Sequence, residues 1–246
     1  MQYAPYIRVV EGAETAVLLI HGIVGTPAHF KDLLPLAPDD VSIYNILLDG
    51  HGKGVKDFAK TSMAKWKAQV SGQLDEILQA HKKVLIVGHS LGTLLAIGEA
   101  IKRPDKVTGL FLQDIPLIVK LPPSTAISSV QAALGLAKEG SAARAMLDDA
   151  GVHLSPNLLL YLAWLPRFWE LLTECHSVRN RLEQLRVPAR AYTSRKDELV
   201  SFRTCRILDD HPTITNTVLP DSGHFAYGKD DLTLMQTHFQ QMLQSI

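Results

Sequence analysis

Three side chains in this sequence have the types and the order that nucleophilic acyl chemistry needs. Ser90 is the centre of Gly88-His89-Ser90-Leu91-Gly92, Asp197 lies about a hundred residues on, and His224 follows in Ser222-Gly223-His224. A serine hydroxyl attacks poorly at neutral pH unless a base takes its proton and a third group orients that base. In the order Ser90, Asp197, His224, the histidine is the expected base and then the acid for the leaving group. Asp197 would fix its tautomer and stabilise its imidazolium. A carbonyl attacked by Ser90 becomes an oxyanion. The expected donors are the backbone N–H of Leu91 and that of Ile23, in the loop after the first core strand. Gly22 lets that loop come close.

The elements around these residues must hold them at one edge. An apolar run over residues 84–87 reads as a buried strand ending in the Gly-x-Ser-x-Gly turn. Leu91, Leu94, Leu95 and Ile101 follow at helical spacing, and Pro104 stops the helix. Strand, tight turn, helix is the context of a nucleophile elbow, with glycines at 88 and 92 where backbone approaches too closely for a side chain. Further strands are expected over 6–10, 16–20, 41–48, 107–112, 187–193 and 217–219. Between them, Thr26 and Pro27 open a helix carrying Phe30, Leu33 and Leu34. Thr61 or Ser62 caps a longer one carrying Trp66, Val70, Leu74, Ile77 and Leu78. Ser201 is placed to cap a helix with Phe202, Cys205 and Leu208. A C-terminal helix carries Leu232, Met235, Phe239, Met242 and Leu243.

Strands alternating with helices imply an α/β fold, a mostly parallel sheet with helices on both faces. Functional groups gather at the carboxyl ends of such strands. The rhythm breaks after the strand ending near Asp114. Residues 115–185 show short helical stretches interrupted by prolines and no strand pattern. The expected division is therefore a core of 1–114 and 186–246 with a helical cap of 115–185 over the strand ends. Trp164, Phe168 and Trp169 are either the cap's own core or a wall of the acyl pocket.

Composition narrows the partners. With 25 basic and 25 acidic residues the formal net charge is zero, which gives nucleic acid or an anionic membrane nothing to hold. Two widely spaced cysteines, Cys175 and Cys205, suggest a reducing compartment. There is no basic-then-apolar leader pattern and no apolar run long enough to span a bilayer, so a cytoplasmic protein without stable membrane insertion is expected. The histidines lack metal-ligand spacing, and no nucleotide fingerprint occurs, so no metal is expected. The cap's Lys120, Lys138, Arg144 and Arg167 either meet an anionic substrate or form a solvated helix face. The oligomeric state is not legible.

Taken in order, His21-Gly22, Asp49-Gly50-His51-Gly52, Gly88-His89-Ser90-Leu91-Gly92, the Asp197 segment and Ser222-Gly223-His224 resemble the α/β-hydrolase superfamily. Within it they resemble the small bacterial carboxylesterases and monoacylglycerol lipases. The resemblance implies a serine hydrolase that needs no cofactor; the triad order, the elbow and the apolar cap add the expectation of carboxylic esters of small to medium acyl chain, monoglyceride-like esters among them, cleaved through an acyl-enzyme on Ser90. Two departures stand out: Gly50 replaces the family's usual proline, and Ser194 stands where the acid segment often has glycine. Some relatives place the acid after the strand that here ends at Asp114, so Asp114 and the neighbouring Glu198 stay open beside Asp197. His21, His51 and His89 read as hydrogen-bonding loop residues. Two alternatives stand beside ester hydrolysis. One is hydrolysis of a thioester, amide, lactone or carrier-protein methyl ester. The other is a non-hydrolytic receptor, lyase or perhydrolase on the same scaffold.

Overall fold

The apolar runs form strands buried on both faces, because residues of odd and even number find separate cores. Ala16, Leu18 and Ile20 join Val84 and Ile86 in one cluster, while Val17 and Leu19 join Leu85, Val87 and Phe111 in the other. The computed structural model describes residues 3–120 and 122–245. Its strands are β1 (Tyr6–Arg8), β2 (Thr15–Ile20), β3 (Ser42–Ile46), β4 (Lys83–His89), β5 (Val107–Gln113), β6 (Ala189–Ser194) and β7 (Ile214–Leu219). They make one sheet in the order β1-β3-β2-β4-β5-β6-β7. Only β1 runs antiparallel, against β3; every other pair is parallel.

The helices are α1 (Val55–Ala59), α2 (Met63–Ala80), α3 (Leu91–Lys102), α4 (Pro123–Ala133), α5 (Ala142–Asp148), α6 (Leu165–Arg181), α7 (Thr204–Asp209) and α8 (Lys229–Gln244). Trp66, Val70, Leu74 and Ile77 of α2, with Leu94, Leu95 and Ile97 of α3, cover one face of the sheet. Met235, Phe239 and Leu243 of α8 cover the other, together with Phe30 and Leu33. Between β5 and β6 lie α4, α5, a 3-10 turn over Leu158–Trp164, and α6. The inner side of α6 (Leu171, Cys175 and Val178) shares a cluster with α3. No helix among the described residues is long and apolar enough to cross a membrane.

Several local expectations shift. The helix opening at Pro27 is two 3-10 turns, Pro27–Phe30 and Leu34–Leu36, because Pro35 removes a donor from the second turn. Thr26 still caps the first turn, accepting from the Ala28 N–H. Of the two candidate caps for α2, Ser62 takes the role, its Oγ accepting from Lys65 N–H at 3.2 Å. The helix expected from Ser201 begins at Thr204, after a turn closed by Thr204 N–H on Ser201 O. The last strand reaches back to Ile214: its mixed polar residues suit an edge strand, where the apolar pattern is weak.

Candidate active site

Ser90 sits between β4 and α3 with φ 50° and ψ −118°, a left-handed conformation that a residue with a Cβ adopts only under constraint. The constraint is crowding. A Cβ on Gly92 would stand 1.9 Å from the carbonyl oxygen of Ile20, and one on Gly88 2.8 Å from the backbone of Gly92. The turn therefore closes only with glycine on both sides. Ser90 N–H donates to Gln113 O at 3.0 Å, and Ser90 O accepts from Thr93 Oγ at 2.6 Å, which locks the elbow to β5 and to its own helix.

The structure brings Ser90, His224 and Asp197 together, each from the carboxyl end of a strand. His224 Nε2 lies 3.1 Å from Ser90 Oγ, and His224 Nδ1 lies 2.7 Å from Asp197 Oδ2. A carboxylate only accepts, so Nδ1 carries a proton, and in the neutral ring Nε2 is free to receive one from Ser90. Asp197 is itself fixed: its Oδ1 accepts the Leu199 and Val200 N–H groups, both at 2.6 Å. All three residues are buried. Burial opposes an imidazolium at His224, but the charge and hydrogen bond of Asp197, aided by Asp114 and Glu198, outweigh it and push the pKa up to about 9.

The two other candidate acids have different partners. Asp114 at the end of β5 is fully buried with φ 54° and accepts from Ser194 N–H and Oγ–H. Burial and the nearby Asp197 raise its pKa to about 7. Glu198 Oε2 accepts the His224 N–H at 2.8 Å and so holds the histidine's backbone, not its ring. His89 does the same from the other side, its Nε2–H donating to His224 O at 3.1 Å while its ring stacks on His29 at 3.7 Å.

On the oxyanion side, Leu91 is the first residue of α3, in the turn whose N–H groups have no helical acceptor. The Gly22 carbonyl accepts from Gly25 N–H at 3.0 Å and from His21 Nδ1–H at 2.8 Å. A planar trans peptide points its C=O and N–H in opposite directions, so these two anchors turn the Ile23 N–H away from themselves. Gly22 lies against the nucleophile: a Cβ there would be 3.0 Å from Ser90 Cβ.

The aromatics of the insertion between β5 and β6 divide. Trp164 is buried, donating Nε1–H to Val55 O at 2.8 Å and packing on Phe58. Phe168 is 39% and Trp169 72% exposed on α6. Arg167 donates to the carbonyls of Ala59 and Thr61 and pairs with Glu170, and Arg144 pairs with Asp148, so both cations are engaged within the chain. Two groups, His29–His89–Asp149 and His89–Asp114–His224, bring ligand-type atoms within 4.8 Å of one another. In the second group Asp114 accepts from Ser194 and His224 faces Ser90 and Asp197, while His89 Nδ1 is buried with no hydrogen-bond partner among the described residues.

Sequence reasoning missed Tyr227, whose OH lies 3.4 Å from both His29 Nε2 and Asp114 Oδ2, and Asp231, which accepts from Asp221 N–H and Ser222 Oγ–H beneath the His224 loop. Neither has a motif; both are found only by where α8 begins.

The model of the alpha/beta hydrolase family matches residues 17–234. A thermostable monoacylglycerol lipase of Bacillus sp. (strain H-257) is 25% identical over 195 residues, which are 77% of this chain and 73% of that protein. Among solved structures, one from work on the metagenome-derived lipolytic enzymes LipS and LipT superposes with a TM-score of 0.76 at 18% identity, over 98% of this chain and 97% of that one. The monoacylglycerol lipase of Paleococcus ferrophilus superposes with a TM-score of 0.70 at 17% identity, over the whole of both chains.

Proposed function

The chain belongs to the alpha/beta hydrolase family, and from that premise we propose that it is a serine hydrolase of carboxylic esters, acting through an acyl-enzyme on Ser90. The observation that carries this reading is the unbroken hydrogen-bonded line from Ser90 Oγ through His224 to Asp197, on a strained elbow. A line ending in a buried, oriented carboxylate is what a hydroxyl needs to become a nucleophile.

In this mechanism His224 Nε2 takes the Ser90 proton as Oγ bonds to the ester carbon. The carbonyl oxygen becomes an oxyanion and is met by the N–H groups of Ile23 and Leu91. His224 then gives its proton to the departing alkoxide, which leaves as the alcohol, with the acyl group on Ser90. A water attacks the acyl-enzyme, His224 takes its proton and returns it to Ser90, and the carboxylic acid leaves. Every step uses groups of this chain and water.

The substrate class rests on likeness to lipases and on the cap. Leu158, Leu159, Leu162 and Leu165 of the insertion expose apolar surface, as Phe168 does in part. Such a face suits an uncharged ester of small to medium acyl chain, a monoglyceride-like ester among them, better than a charged one, since Arg144 and Arg167 are already paired.

The test is hydrolysis of p-nitrophenyl esters from acetate to long acyl chains, with Ser90→Ala in parallel. Turnover that peaks at one chain length and disappears in the variant supports the reading. Full activity in Ser90→Ala overturns it. With no turnover at any length, labelling of Ser90 by a fluorophosphonate would point to another acyl bond, and absence of labelling to a non-hydrolytic role.

A further inference from the structure

Val24, in the loop that carries the candidate oxyanion donor, has φ 59°. A β-branched residue pays for that conformation and keeps it only when something outside holds it. Both of its backbone groups are held from outside. The Val24 N–H donates to His51 Nε2 at 3.1 Å. His51 Nδ1 faces the carbonyls of Leu48 and Asp49, which only accept, so its proton is on Nδ1 and Nε2 is a bare acceptor. The Val24 carbonyl accepts the Gly151 N–H at 2.5 Å.

Gly151 comes from the insertion between β5 and β6, far along the chain from Val24. Its carbonyl accepts the Gly52 N–H at 2.7 Å, and two residues on, His153 N–H donates to Lys53 O at 2.8 Å, with a parallel bridge between Gly54 and His153. Just before it, Asp149 meets His29 Nδ1 at 3.3 Å. Residues 149–153 thus form a strap stitched between the oxyanion loop and the His51 loop. The fit at its centre is tight. A Cβ on Gly151 would stand 1.8 Å from Gly25 O and 3.0 Å from Val24 O.

We propose that Gly151 is a positioning residue for the reaction. Resting on the hydrolase reading above, the strap over residues 149–153 works with His51 to hold Val24 left-handed, so that Ile23 N–H is aimed at the oxyanion only while this part of the insertion is seated. Cap seating and oxyanion stabilisation are then one event, and the insertion acts on the transition state through the loop without touching the substrate.

The experiment compares wild type, Gly151→Ala, Val24→Gly and the double variant, with Ser90→Ala as the control for the hydrolase reading. Gly151→Ala should lower kcat on the best p-nitrophenyl ester by about 10- to 100-fold, at most what deleting an oxyanion donor outright costs, with KM little changed. Glycine adopts φ near 59° without cost, so adding Val24→Gly should restore most of the lost kcat. A purely structural lesion would not be rescued in this way. Independently of activity, hydrogen exchange over residues 22–25 should speed up in Gly151→Ala. Wild-type kcat together with unchanged exchange in Gly151→Ala would overturn the proposal, even where Ser90→Ala confirms a serine hydrolase. If wild type turns over no ester, the ester-hydrolase reading fails and the exchange arm still judges the strap. Should Gly151→Ala not fold, Asp149→Ala, which cuts the tether to His29 and adds no atoms, must lower kcat at constant KM and loosen the same loop for the proposal to stand.

Discussion

Asp114 takes both donors of a single residue, Ser194: the backbone N–H at 2.8 Å and the hydroxyl at 3.1 Å. Ser194 replaces the glycine that often opens the acid segment, so its hydroxyl supplies a contact a glycine lacks. The contact sets Asp114 close behind the Asp197–His224 pair, where its charge helps to raise the His224 pKa.

Asp114→Asn should therefore move the rising limb of kcat/KM, which follows loss of the His224 proton, to lower pH. It should also change stability. Folded Asp114 keeps its proton up to about pH 7, whereas the unfolded chain gives it up near 3.8. Between those values the folded state binds more protons, so this group's stabilisation is present in acid and is lost as pH rises towards 7. The variant lacks that slope. Urea unfolding across pH 4–8 should show Asp114→Asn gaining on wild type as pH rises; parallel curves would refute the protonated carboxyl.

Asp197→Asn should keep the fold but reduce kcat by roughly 10⁴-fold, because an amide can no longer fix the Nδ1–H tautomer of His224. Glu198→Gln keeps an acceptor for the His224 N–H and should cost far less. If the two substitutions cost the same, the acid is not Asp197. Steady-state kinetics on one ester decides between them.

The sheet, and the three residues that it brings together, are legible because their signals are local: an apolar run, a turn of forced composition, a helix at fixed spacing. Ser90, Asp197 and His224 each sit at a strand end that the sequence pattern marks. What lay beyond reading has no local signal. Tyr227 and Asp231 matter through where α8 starts, and Gly151 through a contact with a loop more than a hundred residues away. At the first helix the spacing misleads: Phe30, Leu33 and Leu34 fit a helix, while Pro35 breaks the second turn. The packing of the insertion is illegible for a further reason: exposed apolar residues such as Leu159 and Leu162 look, in sequence, like core.

Two glycine-to-alanine changes should part in opposite directions. Gly92→Ala forces a Cβ to within 1.9 Å of Ile20 O between rigid elements and should cost more than about 4 kcal/mol or prevent folding. Gly72, within α2, has nothing within 4 Å of an added Cβ, so Gly72→Ala should stabilise by about 0.5–1 kcal/mol. Chemical denaturation of both variants checks this; equal effects would mean the elbow is looser than described.

Glu174 ties α6 to α2. Its buried carboxylate pairs with Lys67, and Arg181 approaches it at 3.7 Å. Both cations are partly exposed and can return to water, so Glu174→Ala should cost only about 1–3 kcal/mol, near the worth of a charged hydrogen bond. Since Glu174 bonds to Lys67 and Arg181 and to none of Ser90, Asp197 and His224, kcat should be unchanged. A large fall in kcat at full stability would show that α6 influences the reaction.

The pairing of β5 with β6 has a kinetic consequence. Leu110 must find Ala189 across the whole insertion, whereas β4 and β5 are joined by a single helix. Closing that long loop is entropically late, and parallel pairing across it is slow. Ser90 stands on the early side of this junction and Asp197 and His224 on the late side. A refolding chain should regain the elbow and α3 well before it can turn over an ester, so recovered activity times the last long-range step of assembly, while helix signals report the first.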